Sequence, residues 1–331
     1  MTTKALLEIR DLCLNFKVYG GELKLLDNIN IHLKQGELLG LIGETGCGKS
    51  TLVRLIMRII SMPPAVVRKG EILFKGKDIL KMNSLDLSEV RKKNISMIFQ
   101  DPNASLNPVL TIGTQLYDAI KYNYQFKIND KLNKDKKKII KEKQRGLLKE
   151  VFLPDPERVL ASYPLQLSGG MKQRISIAMS LIVDKEILLA DEVGTSLDVT
   201  IKEQILSLIR YLVEKRKMSS ILISHSLGSI KSITDRVYVM YAGTIVESAP
   251  TKLFFSNPLH PYCQGLVNAV PKLTGGGFNI GIPGNIPNYF NPPLGCRFHP
   301  RCPNAMKICE SKVPPHITVN NEHEVTCFLY C

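Results

Sequence analysis

No run of about eighteen uncharged apolar residues occurs in the 331 residues, so no helix of this chain is expected to span a bilayer. The N-terminal stretch MTTKALLEIRDLCLNF alternates apolar and charged positions. It lacks the apolar core and small-residue cleavage site of a secretory signal, so the expectation is a protein that stays in the cytosol. No internal repeat is visible. Acid is scarce relative to base: 30 Asp and Glu stand against 44 Lys and Arg, a net charge of +14. That surplus favours polyanionic partners, whether anionic lipid, nucleic acid or nucleotide phosphate. Nine of the basic residues, with three acids, fall in residues 127–145 (KINDKLNKDKKKIIKEKQR), read as a solvated helix or loop, or as a patch facing the inner leaflet or an acidic partner. The gaps between Cys296, Cys302, Cys309 and Cys327 are wider than the C-x₂₋₄-C pairs of structural zinc, and of the eight cysteines only Cys327 and Cys331 stand that close. Cys13 and Cys47 are isolated, while Cys263, Cys296, Cys302, Cys309, Cys327 and Cys331 lie in the tail. A reducing cytosol argues against pairing them as disulfides.

What the chain does have is GETGCGKST at residues 43–51, a match to G-x-x-x-x-G-K-[ST]. An apolar run precedes it (38–42) and a helical pattern follows (Leu52, Leu55, Ile56, Ile59), which is the strand–loop–helix setting of a phosphate-binding loop. A phosphate chain needs backbone N–H groups close around it, and Gly43, Gly46 and Gly48 keep side chains out of the way. Glu44, Thr45 and Cys47 fill the variable positions. Lys49 is placed to reach the β- and γ-phosphates and Ser50 to ligate Mg²⁺, with Thr51 beside it. The positive end of the following helix points at the anion. The chain is expected to bind a nucleoside triphosphate.

Strands are expected over 6–16 and 29–33, with a turn at Gly20–Gly21, and over 38–42, 71–74, 95–99, 187–190 and 221–224. Helices are expected over 50–60, closed by Pro63–Pro64, and over 199–215. Residues 237–241 and 244–247 read as a hairpin. Charged helical patterns replace strand signals from about 101 to 185. Beyond 256 Pro, Gly, Asn and Cys become dense and periodicity is lost. That tail has too few large apolar residues for a good core of its own, so a metal or cluster would be a natural staple.

Further signals follow in order: Gln100 after the apolar ISMIF, LSGGMKQR at 167–174, EILLADE at 186–192, SLD at 196–198, and His225 closing ILISH. With the P-loop, this series resembles the nucleotide-binding subunit of an ATP-binding cassette (ABC) transporter over roughly residues 5–255. The resemblance implies an α/β, P-loop NTPase fold of the ABC type. It would carry an antiparallel β subdomain, a helical subdomain inserted at about 101–185, and a Cys/Pro-rich C-terminal extension over 256–331, beyond a nucleotide-binding domain at 1–255. It also implies roles. Asp191 would share the Mg²⁺ shell with Ser50 and Gln100. Glu192 would act as general base on the attacking water, with His225 and Gln100 as catalytic helpers. Tyr19 would stack on the adenine, with Phe16 as second choice and plain strand packing as the ordinary alternative. Ser168, Gly169 and Gly170 would serve the ATP of the opposite subunit, with Asp198 at the shared interface. One departure stands out: Val193 and Gly194 occupy positions where the family usually has proline and threonine. The loop is therefore expected to be looser, which puts full activity of both composite sites in question.

The tail narrows the resemblance. NPLHPYCQGL (257–266) and GNIPNYFNPPLGCRFHPRC (284–302) are similar to the C-terminal region of oligopeptide/dipeptide importer ATPases. Cys263 stands where that motif usually has threonine and is left out of any site. Cys296, Cys302, Cys309 and Cys327 are spaced C-x₅-C-x₆-C-x₁₇-C, with Cys331 as a substitute fourth ligand. Four thiolates suit a [4Fe–4S] cluster or zinc; the wide gaps and the resemblance favour the cluster, with free thiols the third reading. The implied cofactors are ATP, Mg²⁺ and that cluster. The implied partners are a second, paralogous ABC ATPase subunit, two transmembrane permease subunits and an extracytoplasmic solute-binding protein, with this chain peripheral on the cytoplasmic face of the cell membrane. No nucleic acid is expected. Competing readings are an importer of nickel or sugars, a soluble nucleic-acid-associated ABC ATPase, and a cluster-based redox regulator.

Overall fold

The N-terminal alternation folds as a hairpin. In β1 (Leu7–Val18), Leu7, Ile9, Leu12 and Leu14 are buried, and Glu8 and Arg10 pair on the other face. Its antiparallel partner is β2 (Gly21–Leu33). The structure is a computed structural model that describes residues 5–124, 134–195, 197–269, 281–320 and 322–331. The chain forms two units, Met1–Asn83 with Ser219–Cys331, and Ser84–Met218.

In the first unit the chain continues into β3 (Leu38–Ile42), buried at every position, and α1 (Lys49–Ile56), whose Leu52, Val53, Leu55 and Ile56 face the core. Each such side chain contributes about 1.5–3 kcal/mol by leaving water. The helix stops at Ile56, earlier than the proline pair suggests. Arg58 takes a left-handed φ of 48° and its guanidinium binds the carbonyls of Ile79 (3.2 Å) and Met82 (2.6 Å), turning the chain away. β4 (Ala65–Phe74) then pairs with β1, and β5 (Lys77–Asp78) with β4, in the order β2–β1–β4–β5. This is the expected antiparallel subdomain.

The second unit runs α2 (Ser84–Lys93), β6 (Ile95–Ile98), α3 (Pro102–Ser105), α4 (Ile112–Asn123), α5 (Lys134–Glu150), α6 (Pro156–Ala161), α7 (Gly169–Ser180), β7 (Ile187–Asp191) and α8 (Val199–Lys215). β6 and β7 are parallel, with Ile95 opposite Ile187. Among the described residues every element between them is helical, as the fading strand signal implied. Thr111 caps α4 by accepting from Thr114 N. Much of the basic run is the exposed face of α5, while Lys127 and Lys131 lie outside the described residues. No helix among the described residues is long and apolar enough to cross a membrane.

The chain re-enters the first unit through β8 (Ser219–Ile223), α9 (Leu227–Ile233), β9 (Arg236–Tyr241) and β10 (Thr244–Pro250). β3 lies between β8 and β9, parallel to both. The predicted hairpin is present: Ala242 and Gly243 both turn with positive φ, and a side chain at Gly243 would strike the Leu25 carbonyl oxygen. Beyond it lie α10 (Thr251–Ser256), α11 (Pro261–Asn268), α12 (Lys307–Ser311), β11 (His316–Asn320) and β12 (His323–Thr326).

The tail expected to stand apart from residue 256 belongs to this unit. β12 pairs with β10, Glu247 opposite Val325, and the strands run β11–β12–β10–β9–β3–β8. A buried carboxylate secures the join. Glu247 accepts from Leu259 N (3.0 Å), His260 N (2.7 Å) and His323 Nε2 (2.9 Å). Three donors offset the cost of burying it.

Candidate functional site

The phosphate-binding loop sits between β3 and α1, where the sequence placed it. Gly43 must lack a side chain, since a Cβ would lie 2.0 Å from the Met240 carbonyl oxygen; at Gly48 it would lie 2.6 Å from Leu26 Cδ2. Gly46 has open space around it, so glycine is required there by its φ of 84° alone. Lys49 is 3% exposed, and its ammonium donates to the carbonyls of Gly43 (2.8 Å) and Glu44 (2.9 Å). Ser50 follows in the first turn of α1, which holds no acidic residue and receives no side-chain cap from Gly48. The helix therefore offers backbone donors and an uncancelled positive end to an anion.

A cavity of about 520 Å³ opens beside the loop, walled by Gly43, Glu44 and Thr45 on one side and by Ser224, His225 and Ser226 on the other. His225 is thus brought to the loop by β8, which runs parallel to β3. Tyr19 stands fully exposed at the tip of the β1–β2 hairpin, and Phe16 is half-buried within β1.

In the second unit Asp191 ends β7 and is fully buried. Glu192 follows with a φ of 49°, a strained backbone for a residue that is not glycine. Gln100 Nε2 donates to its Oε2 at 2.9 Å, so two predicted members of the catalytic set are in contact. Val193, in the place of the family's proline, is buried, and Gly194 takes a φ of 83°. The loop therefore uses glycine for a left-handed turn that threonine would resist. Ser196 lies outside the described residues, and Asp198 is exposed just before α8.

Ser168 caps α7 by accepting from Met171 N at 3.3 Å. Gly169 and Gly170 are glycine because Leu197 and Ile201 pack against them, at 2.8 and 2.9 Å from where a Cβ would be. The signature and the segment around Asp198 are one packed piece.

Cys296, Cys302, Cys309 and Cys327 all line one small cavity, together with His260, Phe298 and His299. Burial pushes the Cys296 thiol up to about 11, and the neighbouring Cys309, Cys327 and Cys302 add to the rise. Burial likewise drives His260 down to about 3, leaving it neutral. Cys331 is exposed and does not line the cavity; Cys263 is buried in α11. Among the described residues no group of three or more His, Cys, Asp or Glu side chains is placed to hold a metal ion.

Sequence reasoning missed Glu247, Tyr262, Tyr289 and Arg301. Tyr262, Tyr289 and Arg301 lie inside the tail motifs, but nothing in their spacing said that they reach the loop. Arg301 forks onto the Glu44 carboxylate, Tyr262 accepts from Glu44 N at 2.9 Å, and Tyr289 donates to Gly46 O at 2.8 Å.

Two family models match the chain: ABC transporter over residues 26–195, and oligopeptide/dipeptide transporter, C-terminal region, over residues 246–309. The chain is 42% identical over 326 residues to the oligopeptide transport ATP-binding protein OppD of Bacillus subtilis, covering 98% of this chain and 88% of that protein. It is 41% identical over 324 residues to the dipeptide transport ATP-binding protein DppD of the same organism, covering 98% and 94%. In fold it resembles an ATP-binding cassette solved as a dimer in a post-hydrolysis state with ADP and Pi, with a TM-score of 0.62, 24% identity, and coverage of 74% of this chain and 98% of that one. Similarity across nearly the whole length, through both the loop-bearing cassette and the cysteine-bearing tail, leads to one conclusion: the chain belongs to the ABC transporter family, in the branch of ATP-binding subunits that carry the oligopeptide/dipeptide transporter C-terminal region.

Proposed function

We propose that this chain binds and hydrolyses ATP to drive a peptide importer from the cytoplasmic face of the cell membrane. The observation that carries this reading is the joint presence of the bare, lysine-closed loop and a tail like that of OppD and DppD. Its partners would be a second ABC ATPase subunit, two permease subunits and an extracytoplasmic solute-binding protein. ATP would be sandwiched between this loop and the partner's signature, while Ser168, Gly169 and Gly170 serve the partner's ATP. Tyr19 would stack on adenine, and Asp198 would lie at the shared interface.

Glu192 is the proposed base, held by Gln100; His225 is proposed to orient the γ-phosphate and water. The hydroxyl of Ser50, the carboxylate of Asp191 and the amide oxygen of Gln100 are hard oxygen donors, the chemistry Mg²⁺ prefers. When bound, Mg²⁺ would neutralise phosphate charge. In the assembled complex, solute-binding protein loaded with peptide should stimulate ATP hydrolysis, and vesicles should accumulate labelled peptide. Stimulation by nickel or a sugar in place of peptide would overturn the cargo, and no hydrolysis at all would overturn the activity.

Cys296, Cys302, Cys309 and Cys327 would hold the [4Fe–4S] cluster. What supports this reading is the cavity that the four thiols share together with their wide spacing along the chain. It would be structural, tying the loop around Cys296 and Cys302 to α12 and β12. Anaerobically purified protein should be brown with about four irons per chain. Cys309→Ser should lose iron and melt earlier. A colourless, iron-free preparation of undiminished stability would remove the cluster.

A further inference from the structure

The loop that receives phosphate carries a carboxylate of its own. Glu44 stands one residue after Gly43 and lines the cavity beside the loop. Arg301 meets it with a two-pronged contact, Nη1 to Oε2 at 2.8 Å and Nη2 to Oε1 at 3.0 Å. The pair is largely out of water, Arg301 being 6% and Glu44 25% exposed. The guanidinium is itself held, donating to Tyr241 Oη (3.3 Å), Ile282 O (3.0 Å) and Pro283 O (2.8 Å). Two further groups from the C-terminal region act on the same stretch. Tyr262 Oη accepts the Glu44 N–H, and Tyr289 Oη donates to the Gly46 carbonyl. Arg301 ends a short turn, with its N–H on Phe298 O at 2.9 Å, between Cys296 and Cys302. All of these residues belong to the first unit.

We propose that Arg301, Tyr262 and Tyr289 are positioning residues of the nucleotide site, and that the C-terminal extension thereby completes the phosphate-binding loop. The proposal rests on the reading that this loop binds ATP. Two physical effects follow. The loop is held at Glu44 and Gly46, so fewer backbone conformations are lost when a triphosphate is gripped. The Glu44 carboxylate is neutralised by a bidentate partner, so the polyphosphate does not meet an uncompensated like charge a few ångströms away.

The test uses the full-length protein as isolated, with fluorescent-ATP binding and steady-state hydrolysis as readouts. Arg301→Ala should raise Kd and KM for MgATP about tenfold, with kcat falling by less than about threefold. The loss should shrink at high salt, because part of it is charge repulsion. Adding Glu44→Gln to Arg301→Ala should recover most of the lost affinity, since the offending charge is then gone. Arg301 also ties down Ile282 and Pro283, and a merely structural role there would show no such recovery. Tyr289→Phe, which keeps the ring and loses one hydrogen bond, should raise Kd about threefold. A Kd within twofold of the parent for both Arg301→Ala and Tyr289→Phe, or no recovery in the double variant, overturns the proposal. Should Arg301→Ala fail to fold, Tyr289→Phe decides it. A parent protein that does not bind MgATP would instead overturn the nucleotide reading itself.

Discussion

Glu192→Gln is expected to bind MgATP, to lose turnover by about a hundredfold to ten-thousandfold, and to accumulate as an ATP-bound dimer. The substitution is nearly isosteric. The amide oxygen can still accept the Gln100 hydrogen bond that Oε2 now accepts at 2.9 Å, so the local geometry is kept. What is lost is the capacity to take a proton from water. Glu192 is fixed from behind by β7, whose five residues are all buried, and from within by its left-handed backbone. A base held in that way loses little entropy on reaching the reacting water, so removing its charge should affect chemistry far more than binding. Phosphate release in single turnover, with dimer formation followed by size-exclusion chromatography in ATP, checks both halves. Hydrolysis at the parent rate would show that the base is elsewhere.

The second large effect is expected at Lys49. Lys49→Ala should weaken nucleotide binding by about a hundredfold, because a charged donor to phosphate contributes about 1.5–3 kcal/mol and the helix end cannot replace it. Lys49 also bridges the carbonyls of Gly43 and Glu44 across the loop. Alanine therefore removes a brace along with a ligand, and the loop should loosen even without nucleotide. Titration with a fluorescent nucleotide, beside a circular-dichroism melt, separates the two. Unchanged affinity in a folded variant would mean that Lys49 is only a brace. The Glu192 and Lys49 outcomes should be opposite in kind: one variant binds and does not turn over, the other scarcely binds.

Much of this was legible before any fold was known. The glycines around Lys49 read as a phosphate loop because their spacing keeps side chains away from an anion; the structure adds that all three take positive φ. Residues 38–42 read as a buried parallel strand, 187–190 as a buried strand and 221–224 as a strand, because each is a short, mostly apolar run. The tail was read less well. HEVT in β12 is too short to show a period, so its pairing with β10 could not be seen. Buried Glu247 looked like an ordinary hairpin residue.

Local chemistry, then, is what the sequence determined alone: a triphosphate loop, an acidic pair ending an apolar strand, a serine–glycine signature opening a helix, and four spaced thiols. Each needs only a few neighbouring residues of the right type. Tertiary structure alone decided the long-range assignments, namely that Arg301 neutralises Glu44 from 257 positions away, that Tyr289 reaches Gly46, and that four cysteines share one cavity. Such contacts depend on how strands are ordered and where the chain turns back, and no spacing along the chain encodes a distance across it.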